Sequence, residues 1–344
     1  MSVFNGADFL EKAVDSILAQ VCSDFEFLIL DDGSTDNTWD ILAGFQDSRI
    51  RLVKNSENMG LTKALNKGLE MARGEYVARM DADDISLPER LQRQETFLKT
   101  NNNVAMVGCG VDVIDESGKK IQKINFPTIP YLLKWRLLLV NTFAHSAVMF
   151  RKDAVIGVGG YSEKLKYAQD YDLWSRICAH WEVANIPDVL VQWRFWKEGI
   201  SVVQAKEQEE VAIQVAKQNI NYVIGRYPEE GYFEYLRGLY TNRTKALSFE
   251  DIEGLNRNTR ELLDCFYKRF NYTSEIVKEG IKFEIATYIL SGLFKSPCSI
   301  SVKVQMMLHW INQLKLHSIF RMFPILFSRR KEIGTRIQNI FRQH

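Results

Sequence analysis

Apolar positions along the first hundred residues alternate between two periods. Phe9, Leu10, Ala13, Val14, Ile17 and Leu18 recur at helical spacing and predict an amphipathic helix over about residues 7–20. Phe25-Glu26-Phe27-Leu28-Ile29-Leu30 is a short, nearly continuous apolar run, the mark of a buried strand. Trp39, Ile41, Leu42 and Phe45 return to a helical period, Ile50 to Val53 reads as a strand, and Asn55 to Gly60 as a loop. Leu61, Ala64, Leu65, Leu69 and Ala72 mark another helix, and Glu75 to Met80 another strand. Ser86 and Glu89, placed around Pro88, predict a capping box that starts a helix running to about Thr100. Helix and strand thus alternate through residues 7–100, which predicts an α/β fold with a doubly wound, mostly parallel sheet and helices on both faces.

The chain opens on Met1-Ser2-Val3-Phe4-Asn5-Gly6 with almost no strand before the first helix. Either the sheet lacks its usual first strand or that strand is truncated. Further on, Val104 to Cys109 and Val111 to Asp115 read as two strands, with Glu116-Ser117-Gly118-Lys119 as a hairpin turn. Residues 129–139 read as a helix, Ser146 to Phe150 as a strand, Gly157 to Gly160 as a loop, Asp172 to Trp181 as a helix and Val189 to Phe195 as a strand. From about Val203 long charged amphipathic segments take over, so residues 1–202 are expected to form the α/β domain and 203–344 a mainly helical C-terminal region.

Composition narrows the classes. A 46% hydrophobic, 25% charged chain of 344 residues can build a full core, and a formal net charge of +1 gives no global field for nucleic acid. Cys22, Cys109, Cys178, Cys265 and Cys298 are scattered without a C-x-x-C pair, which reads as reduced thiols in a cytoplasmic compartment rather than disulfides or zinc ligands. No apolar run reaches the length of about 18 residues that a membrane span requires. From Lys303 the tail interleaves bulky apolar residues with bases, including Ile319, Phe320, Arg321, Phe323, Arg329 and Arg330. Such a stretch can lie peripherally on an anionic membrane surface or pack as a helix on the catalytic domain with its charges solvated.

The chemistry gathers where two predicted strands end in acids, at Asp31-Asp32 and at Asp81-Ala82-Asp83-Asp84. Ligands of open parallel sheets bind outside the carboxyl ends of the strands. Hard oxygen donors at that place suit Mg²⁺ or Mn²⁺ shared with substrate phosphates, although an isolated D-x-D is also an ordinary acidic turn. Asp32 could accept hydrogen bonds from a base or ribose, with Asp81 and Asp83 holding ribose and metal. Arg79 could reach the phosphates or form an ion pair with Asp32.

Phe4-Asn5-Gly6, Leu10, Ser16-Ile17, Asp31 to Asp36, Asn58-Met59-Gly60, Gly74-Glu75-Tyr76 and Asp81 to Asp84, in that order, resemble the family 2 glycosyltransferases. The resemblance extends over about residues 3–200. It implies the GT-A fold and an inverting enzyme that takes a nucleotide-sugar donor with a divalent metal and serves a glycan or lipid-linked acceptor in surface polysaccharide synthesis. It places Asp32 at the base, Asp81 near the ribose and Asp83 on the metal bridging the diphosphate, with Asn5, Arg79 and Arg194 among the donor contacts.

Gln169-Asp170-Tyr171-Asp172-Leu173-Trp174 is similar to the family's acidic motif at a helix start, which implies that Asp170 is the catalytic base. By the residues alone, Asp170 is as well explained as a helix N-cap together with Asp172. Gln169 stands where the family often has Glu. His145 occupies a place where the family commonly has a residue facing the active site, though a histidine before a strand is usually structural. Val191 to Lys197 resembles a Tyr-Arg-x-His segment without its His; Trp196 and Lys197 lie nearest that place, and Arg194 and Lys197 are candidate diphosphate contacts or surface ion pairs. Two other classes would use a similar crevice. A sugar nucleotidyltransferase needs a Gly-rich basic loop after the first strand, which is not seen here. A non-catalytic nucleotide-sugar-binding or assembly protein would fit a base pocket that has lost its first strand.

Overall fold

The computed structural model describes residues 1–241, 243 and 249–295. It divides into two compact units, one of Met1–Leu133 with Asn141–Ala212, the other of Lys134–Val140 with the described residues from Ile213 on. The basic tail from Lys303 and Cys298 lie outside the described residues.

A first strand is present, although short. β1 (Ser2–Val3) lies parallel to β2 (Phe27–Asp31), with Ser2 opposite Leu30 and Val3 opposite Asp31. The terminal amine extends the ladder by donating to the Leu28 carbonyl at 2.9 Å. β3 (Ile50–Lys54) pairs with β2 on its other side, also parallel, to complete a three-stranded sheet. The crossovers are α1 (Ala7–Leu18) and α2 (Thr38–Gly44). Successive side chains of a strand face opposite sides, and β2 uses both. Phe27 and Ile29 join Leu10, Val14, Ile17 of α1 and Leu42 of α2 in one apolar cluster. Leu30 turns the other way, toward Gly68 of α3 (Leu61–Met71). All five β2 residues are buried for this reason, which is why the run carries no polar alternation.

The second sheet of this unit is mixed. Its order is β4 (Tyr76–Ala78), β8 (Met149–Arg151), β6 (Val104–Ile114), β9 (Glu182–Arg194), β5 (Ile85–Ser86), with β7 (Lys120–Ile124) hanging from β6. Only β6 and β9 run parallel; the other pairings are antiparallel. α4 (Arg90–Thr100) covers it, with Leu91 and Leu98 packed among Val104, Val107, Val111, Met149, Ile186 and Val191. Along the chain α5 (Pro130–Leu137), α6 (Lys152–Gly157), α7 (Gln169–His180) and α8 (Ile200–Val203) follow.

Two local expectations change. The predicted capping box does not form. Ser86 belongs to β5, its N–H donates to Ser16 Oγ, and its hydroxyl accepts from Gln20 Nε2. The two strands expected at 104–109 and 111–115 are one strand, whose irregular register near Cys109 and Gly110 absorbs the interruption. The hairpin turn expected at 116–119 links it to β7, with Asp115 accepting the Lys119 N–H at 2.9 Å.

The second unit is helical in its described part: α9 (Ala205–Ile224, from residue 213 on), α10 (Glu230–Thr241), α11 (Phe249–Arg269) and α12 (Glu275–Lys295). The buried Glu284 is paired, Arg136 donating twice to it at 2.9 and 2.8 Å. No described helix is long and apolar enough to cross a membrane. Cys22, Cys109, Cys178 and Cys265 are all free thiols.

Candidate active site

Asp31 and Asp32 end β2, and the chain turns at Gly33 with φ 76°. A Cβ there would come within 2.5 Å of the Glu57 backbone, so the close approach of the two loops requires glycine. Across that approach Asp32 is anchored. Asn55 Nδ2 donates to it at 2.7 Å, and the backbone N–H groups of Met59 and Gly60 donate at 3.1 and 2.9 Å. Lys67 in turn donates to Asn55 Oδ1 at 2.6 Å. The loop after Val3 is tied to the same place. Asn5, at φ 50°, accepts the Thr35 N–H on Oδ1 at 2.9 Å and donates its own N–H to Ser34 Oγ at 2.9 Å. The Asn5 side chain is therefore engaged within the loop that it closes.

The second acid cluster follows β4. Asp81, Asp83 and Asp84 can each present a carboxylate oxygen within 4.8 Å of the others. Asp84 is fully buried. It accepts a very short hydrogen bond from the Ser146 hydroxyl and one from the Arg194 N–H at 2.7 Å. Burial, and after it the charge of Asp83, pushes the Asp84 carboxyl well above the usual carboxylate range. Burial and then Asp81 push Asp83 up to about 6, against a hydrogen bond from Trp196 Nε1 to its Oδ2 at 3.1 Å. Two of these three hard oxygen donors, Asp83 and Asp84, are held back from ionising by burial and by the neighbouring carboxylates, and such a donor set fits a divalent cation of the Mg²⁺ or Mn²⁺ kind.

Two buried arginines back this cluster. Arg79 pairs with Asp81, so the alternative of an ion pair with Asp32 is not realised. Burial, the largest single influence, would lower the Arg79 pKa, but the charge and hydrogen bond of Asp81, with Tyr161 and Asp84, together raise it. Arg79 Nε has no hydrogen-bond partner among the described residues. Arg90, which the sequence did not single out, donates to the carbonyls of Arg79 and Val148 at 2.6 and 3.2 Å and so holds the strand end beneath the acids.

Arg194, expected as a diphosphate contact, is 2% exposed. Its Nε donates to the Asp83 carbonyl at 2.8 Å and its Nη1 to the carbonyls of Asp115 and Glu116 at 2.8 and 3.0 Å. Lys197 is exposed.

Asp170 and Asp172 open α7, which follows Ala168 in a left-handed conformation at φ 50°. Their surroundings differ, where helix capping by itself would suit either carboxylate. Asp172 is bound to Arg176 Nη2 at 2.6 Å; that nitrogen also donates to the Gly160 carbonyl, and Nη1 donates to that of Val158. Asp170 takes its side-chain hydrogen bond from Asn141 Nδ2 at 2.7 Å. Burial raises its pKa, although its hydrogen bonds to the Tyr171 backbone and Asn141 and the charge of Arg79 pull it down. His145 meets the Tyr161 hydroxyl at 3.0 Å through Nε2. Burial, and after it the charge of Arg79, takes its pKa well below the ordinary histidine value, so the ring is neutral at pH 7.

Asn55, Asn141, Ser146 and Tyr161 were not singled out from sequence. Lone polar residues have no spacing that marks them, and each becomes visible only through the acid or histidine that it holds.

The pattern of the family described as "Glycosyl transferase family 2" matches residues 1–159. The amylovoran biosynthesis glycosyltransferase AmsE of Erwinia amylovora is 37% identical over 188 residues, covering 54% of this chain and 70% of that protein. The O-antigen biosynthesis glycosyltransferase WbnJ of Escherichia coli is 33% identical over 202 residues, covering 56% and 77%. Among solved structures, S. aureus TarS 1-349 in complex with UDP-GlcNAc superposes with a TM-score of 0.54 at 16% identity, covering 92% of this chain and 91% of that one. At that identity the likeness speaks for the fold.

Proposed function

We propose, for a chain that belongs to glycosyltransferase family 2, an inverting transfer of a sugar from a nucleotide-diphosphate donor to an acceptor hydroxyl, with Asp170 as the base. The observation that carries this reading is the contrast between Asp170 and Asp172. One is spent on Arg176, while the other is held by a neutral amide in a buried setting that favours its protonated form. A carboxylate in that state gains from taking a proton. Single displacement needs one such base, which removes the acceptor proton as the hydroxyl attacks the anomeric carbon opposite the leaving nucleotide.

Asp32 would meet the nucleoside through a carboxylate whose direction Asn55, Met59 and Gly60 fix. Asn5 and Arg194 act in this reading by shaping the site: the first closes the Ser34–Thr35 loop, the second clamps the backbone at Asp83. Arg79 and the exposed Lys197 are the cations for the diphosphate. Asp83, with Asp81 and Asp84, would hold Mg²⁺ or Mn²⁺. When bound, that ion supplies charge stabilisation for the departing diphosphate.

The relatives named for amylovoran and O-antigen biosynthesis support a surface polysaccharide as the product class, with a glycan or lipid-linked acceptor. TarS binds UDP-GlcNAc, which supports a nucleotide sugar as donor. The test is the stereochemistry of the first product. With an α-linked nucleotide sugar, NMR of the sugar first transferred, or first released to water, should show the β anomer. Release of the α anomer would exclude single displacement.

A further inference from the structure

We propose that Trp196 is a positioning residue for the cation site, an indole that holds Asp83 by Oδ2 and fixes how its carboxylate meets a divalent ion. The inference rests on the metal reading proposed above and concerns a residue to which the comparisons give no role.

Three contacts pin the indole. Nε1 donates to Asp83 Oδ2 at 3.1 Å. The ring meets Phe9 of α1 edge-on, centroids 5.5 Å apart at 71°, and Phe9 also lies under the Arg194 guanidinium at 4.4 Å. On a further side Gly199 donates its N–H to the Trp196 carbonyl at 3.1 Å, and a Cβ at Gly199 would stand 3.2 Å from Nε1. The backbone at residue 199 is thus wrapped against the nitrogen that carries the hydrogen bond, and any side chain there would press on it.

The chemistry of an indole sets its role. Its nitrogen only donates, so Trp196 cannot itself ligate a cation. A carboxylate offers about four lone-pair directions, and one taken by Nε1 leaves the others for the ion. Hydrogen bonds to ligating carboxylates orient them, and losing one typically costs about 10- to 100-fold in metal affinity. Two residues therefore fix Asp83 between them: Arg194 Nε donates to its carbonyl and Trp196 Nε1 to its carboxylate.

The test uses the full chain and Mn²⁺ alone, with the free ion read by electron paramagnetic resonance. The wild type should bind Mn²⁺, and Asp83→Asn should abolish it. Trp196→Phe, which keeps an aromatic ring near Phe9 but removes the N–H, should weaken binding about tenfold or more. Mg²⁺, which does not quench by itself, should change the tryptophan emission of the wild type and not that of Trp196→Phe. Should Trp196→Phe fold poorly, Gly199→Ala takes its place, pushing on Nε1 and lowering affinity in the same direction to a smaller extent. Wild-type Mn²⁺ affinity in a folded Trp196→Phe, or in Gly199→Ala where that variant stands in, would overturn the role while leaving the metal site intact. A wild type that binds no Mn²⁺ would overturn both.

Discussion

Asp170→Asn should fold as the wild type does and lose about 10²- to 10⁴-fold in kcat, the range that positioned general bases contribute. The amide is nearly isosteric, and the buried site already disfavours the charge that the substitution removes. Thermal midpoints of the two proteins should therefore agree within a few degrees. The pH profile gives a second reading of the same group. Burial raises the Asp170 pKa, so the protonated, inactive form persists to higher pH than for an ordinary aspartate, and kcat/KM should climb as pH rises through that value. The groups that bear on it are Asn141, the Tyr171 N–H and Arg79, and none of these titrates in the range. At saturating Mn²⁺, which keeps the carboxylates of the cation site ionised, Asp84 among them, the acid limb belongs to Asp170 and should vanish in Asp170→Asn. By the same sign, whatever Asp170 adds to stability is greatest when it is protonated and declines as pH rises through the folded value. Turnover at the wild-type rate would remove the base from this residue.

Asp83→Asn should cost about 100-fold or more in activity, because a cation on a departing diphosphate supplies several kcal/mol of charge stabilisation and each 1.4 kcal/mol is a decade. Without metal the effect on stability should go the other way. Burial and the neighbouring Asp81 push Asp83 up to about 6, so at neutral pH its charge is held against the fold. The amide relieves that repulsion and can still accept the Trp196 hydrogen bond on its oxygen. Differential scanning calorimetry in EDTA should show a midpoint equal to or above that of the wild type, and added Mn²⁺ should raise the wild type alone. A variant that remains fully active, or that is destabilised in EDTA, would contradict the assignment.

The frame of the first hundred residues was legible because burial writes directly into sequence. β2 is covered on both faces and reads as an apolar run; α1 is covered on one and reads at helical spacing. The acids at the ends of β2 and β4 were legible for the complementary reason, since charges beside an apolar run must lie where the strand leaves the core.

Pairing was less so. β4 has the same apolar look whether its neighbour runs parallel or antiparallel, and its partner β8 lies over seventy residues away in sequence. Ser86 looked like a cap because its spacing to Glu89 is right, but Gln20 and Ser16, distant in sequence, claimed it for β5. The partners of long side chains were the least legible. Arg79 could pair with Asp32 or reach phosphates by the sequence, and in the fold it pairs with Asp81; Arg194, in a motif that implied phosphate, donates to the backbone carbonyls of Asp83, Asp115 and Glu116. An arginine spans enough distance that sequence position says little about where its guanidinium ends. Trp196 was noted as the nearest residue to a missing histidine, and only the fold showed that its nitrogen meets Asp83.

The most direct test is nucleotide binding to the wild-type chain. UDP, GDP and dTDP are each added with and without Mn²⁺ while the thermal midpoint is followed. A ligand that binds only the folded state at 100 times its Kd stabilises by about 2.7 kcal/mol, enough to move the midpoint of a domain this size by several degrees. One nucleotide should stabilise the chain, and it should do so only with Mn²⁺, because the site at Asp81, Asp83 and Asp84 needs the ion to accept a diphosphate. No shift with any of the three, or a shift indifferent to Mn²⁺, would contradict a metal-dependent nucleotide-sugar site at the ends of these strands.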